Sequence, residues 1–122
     1  MAHEFDIAIL LPTRGRAEML ERSVQSLITM AQDPSRVQIM LGFDNDDEVG
    51  PKHFEESVQP WLDEHNVSYT AMSFDPMGYI RLNEYVNLLA NSSDAKWLVF
   101  WNDDAVMQSQ DWDAEIMKRD GE

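Results

Sequence analysis

The sequence Trp97-Leu98-Val99-Phe100-Trp101 is followed, without a spacer, by Asn102-Asp103-Asp104. Five consecutive aromatic and aliphatic residues predict a β-strand. The three side chains that follow carry hard oxygen atoms, which Mg²⁺ and Mn²⁺ bind together with water and substrate phosphate. The alternative is a solvated turn or a helix N-cap, because Asn and Asp are common in both. The position directly after so apolar a strand favours a metal and phosphate site.

Similar apolar segments alternate with helical patterns along the rest of the chain. Strands are predicted over residues 6–11, 37–43, 67–74 and 97–101. Helices are predicted over residues 17–31, 51–65, 80–90 and 111–118, with Pro60 expected to kink or split the second. This alternation is typical of an α/β fold. We therefore expect a three-layer α/β/α arrangement with a mostly parallel sheet of about four strands, formed by residues 1–122 as a single domain.

The charge of the chain restricts its partners. There are 9 basic and 23 acidic residues, which give a net charge of −14. Nucleic acids and anionic membranes would be repelled, so no nucleic-acid polymer is expected as a partner. A small polyanion can still bind when a divalent cation lies between it and the protein. The acidity therefore favours a metal-dependent site, and the alternative is that it serves solubility alone.

The sequence predicts neither export nor membrane insertion. It has no cysteine, so a disulfide framework and a thiolate metal site are excluded. The first residues do not resemble a signal peptide, and no apolar stretch is long enough for a transmembrane helix. We expect a cytoplasmic protein.

Polar residues follow all four predicted strands. In parallel α/β sheets, ligands bind at the carboxyl ends of the strands, so these segments are expected to form one site. The segments are Pro12-Thr13-Arg14-Gly15-Arg16, Asp44-Asn45-Asp46-Asp47, Asp75-Pro76-Met77-Gly78 and Asn102-Asp103-Asp104. In the second segment, Asp44 is nearest the strand and is the candidate ligand-binding carboxylate. The later acids also suit the N-terminus of the helix that follows.

Arginines at this predicted edge suit a diphosphate. Arg14 and Arg81 are the candidates, because guanidinium groups bind phosphate oxygens well, whereas Arg16 is better explained by salt bridges to nearby acids. Gly15 stands alone, so neither a dinucleotide-binding nor a P-loop signature is present. No histidine pair has zinc-ligand spacing, and no serine lies in a nucleophile elbow.

Four segments together resemble family 2 glycosyltransferases of the GT-A fold. The segments occur in the family's order and cover most of the chain. They are Ile9-Leu10-Leu11-Pro12-Thr13-Arg14-Gly15-Arg16, Gly42-Phe43-Asp44-Asn45-Asp46-Asp47, Gly78-Tyr79-Ile80-Arg81-Leu82-Asn83 and Val99-Phe100-Trp101-Asn102-Asp103-Asp104. The last resembles the strand that leads to the family's DxD motif, with Asn102 at the first position. The resemblance implies a minimal GT-A domain, Rossmann-like, that binds a nucleotide sugar.

The resemblance also implies a role for each matched residue. The base pocket would be lined by Pro12, Thr13 and Asp44, with Asp44 accepting a hydrogen bond from a uracil-type ring. Gly78 would belong to the nucleotide site, and Arg14 and Arg81 would lie near the base or diphosphate. Asp103 would reach the ribose or the metal's water shell, and Asp104 would bind Mn²⁺ or Mg²⁺. The donor would be a UDP-sugar, the metal would assist departure of the nucleoside diphosphate, and the acceptor is not specified.

Members of that family usually continue past this motif into an acceptor-binding half, which carries the catalytic base of inverting enzymes. Asp111 and Asp113, in the C-terminal segment, are the candidates for a base in this chain. Two alternatives to a glycosyltransferase stay open. A nucleotidyltransferase has a similar sheet, although such enzymes open with a Gly-rich loop that carries a lysine, which is absent here. The other alternative is a non-catalytic module that binds a nucleotide sugar.

Overall fold

Four parallel strands form the sheet at the centre of this protein. The computed structural model describes residues 5–13, 17–44, 48–74, 87, 89–91, 93, 95–103 and 105–118. The strands are β1 (Phe5–Thr13), β2 (Val37–Asp44), β3 (Ser68–Phe74) and β4 (Ala95–Phe100), in the spatial order β3-β2-β1-β4. The predicted α/β fold with a parallel sheet is confirmed.

The central strand β1 pairs with β2 on one side and with β4 on the other. Its apolar residues from Ile7 to Leu11 are all buried, because helices cover both faces of the sheet. The sequence predicts this strand over residues 6–11, and the ladder with β2 continues to Thr13. This extension carries the polar end of β1 beyond the sheet's hydrophobic centre.

One face of the sheet is covered by two helical segments. Helix α1 (Ala17–Thr29) buries Leu20, Val24, Leu27 and Ile28, the apolar stripe that the sequence predicts. The second segment consists of α2 (Val49–His53), a π-helical turn (Phe54–Val58) and α3 (Gln59–Glu64). Proline has no N–H to donate, so Pro60 cannot make the usual bond to the preceding turn. The predicted irregularity is thus present as a π-helical turn just before Pro60.

The opposite face is packed by a smaller apolar cluster. Ala8, Leu10 and Met40 face Leu89, which is fully buried. Residues 87 and 89–91 are helical, within the helix predicted over residues 80–90; most of that prediction lies outside the described residues. Helices therefore lie on both faces of the sheet, in three layers.

The C-terminal helix α4 (Trp112–Met117) packs against the end of α1. The indole Nε1 of Trp112 donates to the carbonyl of Leu27 at 2.8 Å. The last carbonyls of a helix have no partner within the helix, so this contact satisfies one of them. In the part of the chain that the structure describes, no helix is both long and apolar enough to cross a membrane.

Candidate functional site

The carboxyl ends of β1 and β4 meet at a buried hydrogen bond. The Oγ1 atom of Thr13 donates to Oδ2 of Asp103 at 2.7 Å, and the two residues are 90 positions apart in the chain. Thr13 is 8% and Asp103 is 7% exposed. A hydrogen bond that shields a carboxylate from water at this depth fixes its orientation. Asp103 is therefore a carboxylate held in place just beyond the end of β4.

The register of the sheet explains why these two residues meet. In the β1–β4 ladder the last pair is Leu10 with Phe100, and every pair differs by 90 in residue number. Thr13 and Asp103 each lie three residues beyond that pair (13 − 10 = 103 − 100 = 3). The segment after β4 thus continues in the same register with β1, although it is no longer a strand.

This contact lies where the direction of the chain's crossovers reverses. From β1 the chain moves to β2 and then to β3 on one side, and it returns to place β4 on the other side of β1. Parallel α/β sheets bind ligands in the crevice outside the carboxyl ends of the two strands at such a reversal. The Thr13–Asp103 pair is at that position.

The segment that follows β4 is anchored to β1 and α1. The backbone N–H of Trp101 donates to the carbonyl of Leu10 at 3.0 Å, and its indole Nε1 donates to Oγ of Ser23 at 2.7 Å. Further along, the N–H of Met107 donates to Oγ of Ser26 at 2.8 Å. These contacts hold the backbone on both sides of Asp103.

Asp111 and Asp113, the candidates for a catalytic base, lie at the opposite edge of the sheet. The N–H of Asp111 donates to the carbonyl of Met30 at 2.7 Å, just beyond the end of α1. The carboxylate of Asp113 accepts the N–H groups of Gln32 and Asp33 at 2.7 and 2.9 Å.

A cavity of about 430 Å³ lies at this edge, where the strands begin. Asp113 lines it together with Asp6 and Val37, which lie at the starts of β1 and β2. A strand rises about 3.3 Å per residue, so Asp6 and Thr13 are roughly 23 Å apart. The structure therefore does not bring Asp113 to the Thr13–Asp103 pair.

The salt bridge beside this cavity is structural. Arg36 Nη2 lies 3.0 Å from Oδ1 of Asp6, and this hydrogen bond raises the pKa of Arg36 above its ordinary value. It links the turn before β2 to the start of β1. Arg36 therefore contacts Asp6 at the edge away from the candidate site.

The other predicted site residues are placed only in part. Pro12 pairs with Gly42 in the β1–β2 ladder, and Asp44 is the last residue of β2, paired with Phe74. Both backbones thus reach the carboxyl edge. Arg14, Gly78, Arg81 and Asp104 lie outside the described residues.

The donor atoms at this edge suit a hard divalent cation only with help from a ligand. Among the residues that the structure describes, no three or more His, Cys, Asp or Glu side chains are grouped to hold a metal ion. Mg²⁺ and Mn²⁺ bind through one or two carboxylates when substrate phosphates and water complete the coordination. Asp103 fits that pattern, because its carboxylate is already oriented.

Sequence reasoning did not single out Ser23 or Trp101 for this site. Ser23 is fully buried on α1 and its hydroxyl accepts the indole N–H of Trp101. One signal was present: Ser23 occupies a core-facing position on an otherwise apolar helical stripe. A polar residue at such a position needs a hydrogen-bond partner.

The comparisons with known proteins support the fold. No protein-family model matches the sequence, and no curated protein matches it. Among the solved structures that match is a mannosyltransferase from Pyrobaculum calidifontis, described as a complex with GDP-Man and Mn²⁺, with a TM-score of 0.77 at 14% identity. The similarity covers 100% of this chain and 36% of the mannosyltransferase chain. The chain shares the α/β fold of that protein and spans about a third of its length.

Proposed function

We propose that this protein binds a nucleotide sugar together with Mn²⁺ or Mg²⁺ and acts as a glycosyltransferase. The observation that carries the proposal is the buried hydrogen bond between Thr13 and Asp103 at the crossover reversal. It leaves an oriented carboxylate at the edge where such sheets bind ligands. The resemblance of the chain to family 2 glycosyltransferases, and its fold likeness to a mannosyltransferase, support the same function.

The proposed division of roles follows from charge. The carboxylate of Asp103, with that of Asp104, would hold the cation directly or through its water shell. Arg14 and Arg81 would contact the diphosphate, because guanidinium groups pair with phosphate oxygens. When bound, the metal supplies Lewis-acid stabilisation of the departing nucleoside diphosphate. Thr13 keeps the carboxylate of Asp103 aligned and excludes water from one of its oxygens.

Two nucleotide bases are candidates for this site. The sequence resemblance favours a uracil-type ring that pairs with Asp44 and lies against Pro12, with Gly78 in the third loop of the site. The mannosyltransferase of similar fold binds GDP-Man. We therefore propose a nucleoside diphosphate sugar as the donor class, with uridine and guanosine nucleotides as the two to be compared.

Calorimetric titration of the protein with UDP and with GDP, in Mn²⁺ and in chelator, tests this proposal. We expect one nucleotide to bind in Mn²⁺ and affinity to fall by at least about tenfold in chelator. Asp103→Asn and Asp104→Ala should each weaken binding by about tenfold or more. Asp113→Asn is the matched control, because it changes a buried aspartate at the far edge of the sheet.

Two results would contradict the proposal. One is nucleotide binding of equal strength in chelator and in Mn²⁺. The other is wild-type affinity for the nucleotide in both single variants, Asp103→Asn and Asp104→Ala. Activity separates the remaining alternatives: transfer or hydrolysis of a UDP-sugar or GDP-mannose indicates a glycosyltransferase, and binding without either indicates a non-catalytic module. Release of pyrophosphate from a nucleoside triphosphate and a sugar phosphate indicates a nucleotidyltransferase.

A further inference from the structure

Ser23 is a polar side chain in the hydrophobic interior whose presence packing does not explain. It is fully buried on α1 between Leu20 and Leu27, positions at which the helix otherwise presents apolar side chains to the sheet. Burying a hydroxyl is unfavourable unless its hydrogen bonds are made. The contacts of Ser23 must therefore account for a serine at this position.

The Ser23 hydroxyl joins α1 to the segment that leaves β4. Its oxygen accepts the indole N–H of Trp101 at 2.7 Å, and its own proton points toward the carbonyl oxygen of Asn102 at the longer distance of 3.5 Å. A hydroxyl has one donor and two acceptor positions, so both kinds of capacity are used. Ser23 therefore contacts the two residues that immediately precede Asp103.

A second serine, one helical turn later, extends this attachment. The hydroxyl of Ser26 donates to the carbonyl of Ser23 at 2.7 Å and accepts the N–H of Met107 at 2.8 Å. Asp103 thus lies between two attachment points on α1, although it belongs to no strand or helix. Its position depends on how firmly its flanking backbone is held.

We propose that Ser23 is a positioning residue for Asp103. By holding the Trp101 indole and the Asn102 carbonyl, Ser23 keeps the backbone after Phe100 in register with β1, so that the carboxylate of Asp103 meets Thr13. Sites that bind a ligand through an oriented group lose affinity when the supporting contacts are loosened. The part of this inference that concerns nucleotide affinity rests on the proposed function, and the part that concerns the position of Asp103 does not.

The variants Ser23→Ala and Ser23→Thr separate the hydroxyl from the rest of the side chain. Trp101→Phe is a second way to break the same bond, because it keeps an aromatic ring and removes the donor. It serves if Ser23→Ala does not fold. Ser93→Ala is the matched control: the Ser93 hydroxyl also bridges, donating to Gln38 at 2.9 Å and accepting from the N–H of Ala95 at 3.1 Å, but at the opposite end of β4.

The first measurement needs no ligand. We expect Ser23→Ala and Trp101→Phe to shift the backbone amide NMR signals of Thr13 and Asp103, whereas Ser23→Thr and Ser93→Ala leave both signals in place. Unchanged Thr13 and Asp103 signals in a folded Ser23→Ala or Trp101→Phe protein would overturn the proposal. The amide signals decide the position of Asp103 whether or not the protein binds nucleotide.

The second measurement is calorimetric titration with UDP and GDP in Mn²⁺. We expect Ser23→Ala and Trp101→Phe to bind about tenfold more weakly, and Ser23→Thr and Ser93→Ala to stay within about twofold of wild type. Wild-type affinity in Ser23→Ala would contradict the positioning role. If the wild-type protein binds neither nucleotide, the proposed function fails, and the amide signals alone decide the role of Ser23.

Discussion

The hydroxyl of Thr13 and the carboxylate of Asp103 form a buried hydrogen bond of 2.7 Å between the ends of β1 and β4. The bond continues the register of the strand pair three residues past its last ladder partners, Leu10 and Phe100. The ladder alone would leave these ends free to separate. A charged acceptor makes the contact stronger than one between neutral groups, so Thr13 and Asp103 hold the end of β1 against the segment that follows β4.

Replacing Thr13 tests this relationship directly. Thr13→Val keeps the shape of the side chain and removes the donor, which leaves a buried carboxylate oxygen without that bond. We expect the free energy of unfolding in urea to fall by about 1 to 3 kcal/mol. Thr13→Ser keeps the hydroxyl and should lose no more than about 1 kcal/mol. Equal stability of the two variants would show that the hydrogen bond contributes nothing.

The sequence was sufficient to predict the strands and helices, but not which strands lie next to each other in the sheet. Apolar runs and helical spacing depend on local sequence, so the strands and α1 were found within a few residues. The order β3-β2-β1-β4 depends on which faces pack together, and no local pattern records it. The pairing of Thr13 with Asp103 follows from that order together with the register of β1 and β4. For the same reason, the sequence showed that Asp113 is a carboxylate but not that it lies at the far edge of the sheet.

The predicted stabilising role of Asp113 follows from its two backbone contacts. Its carboxylate accepts the N–H groups of Gln32 and Asp33, which lie in the turn after α1. Asp113→Ala removes both acceptors, and we expect the free energy of unfolding to fall by about 2 to 4 kcal/mol. Urea unfolding at neutral pH measures this loss. Glu64→Ala, an exposed position on α3, is a comparison in which we expect a change within about 1 kcal/mol.

Nucleotide binding tests whether Asp113 belongs to the nucleotide site. A folded Asp113→Ala protein should bind UDP or GDP with Mn²⁺ as well as wild type does, because Asp113 lies beside Asp6, at the start of β1, and Thr13 is at the other end of that strand. A variant of undiminished stability that has lost nucleotide binding would place Asp113 in the site after all.

The pKa of Tyr69 leads us to expect that the protein becomes less stable in alkaline solution. Burial raises the pKa of Tyr69 above its ordinary value of 10.0, and its hydrogen bond to Asp63, at 3.0 Å, raises it further. Because the folded protein holds this proton more tightly than the unfolded chain, the stabilisation is complete below about pH 10 and is lost as the pH rises through the folded-state value. We expect the free energy of unfolding to decline above about pH 10.

Tyr69→Phe should weaken that alkaline decline, because it removes the titrating group. Urea unfolding of both proteins from about pH 9 to about pH 11 provides the comparison. Asp63→Asn removes a carboxylate that raises the pKa, so it should move the tyrosinate absorbance of Tyr69 to lower pH. If wild type and Tyr69→Phe decline in parallel, other groups govern the alkaline transition and this prediction is wrong.

We expect Trp112 to stabilise the end of α1. Its indole N–H donates to the carbonyl of Leu27 at 2.8 Å, and the side chain is only 4% exposed. Trp112→Phe removes the donor from a terminal helix carbonyl and leaves unfilled volume in the core. We expect the free energy of unfolding to fall by about 2 to 3 kcal/mol. We also expect faster hydrogen exchange at the amides of Met30 and Ala31, whose partners are carbonyls in the last turn of α1.

Trp61→Phe is the matched control for Trp112→Phe, because it also replaces an indole by a phenyl ring, but at a partly exposed position. Trp61 is partly exposed and stacks on His65 with ring centroids 4.0 Å apart, so a phenyl ring retains much of that contact. We expect its free energy of unfolding to stay within about 1 kcal/mol of wild type. If the two variants lose equal stability, or if exchange at Met30 and Ala31 is unchanged in Trp112→Phe, the indole of Trp112 does not hold the end of α1.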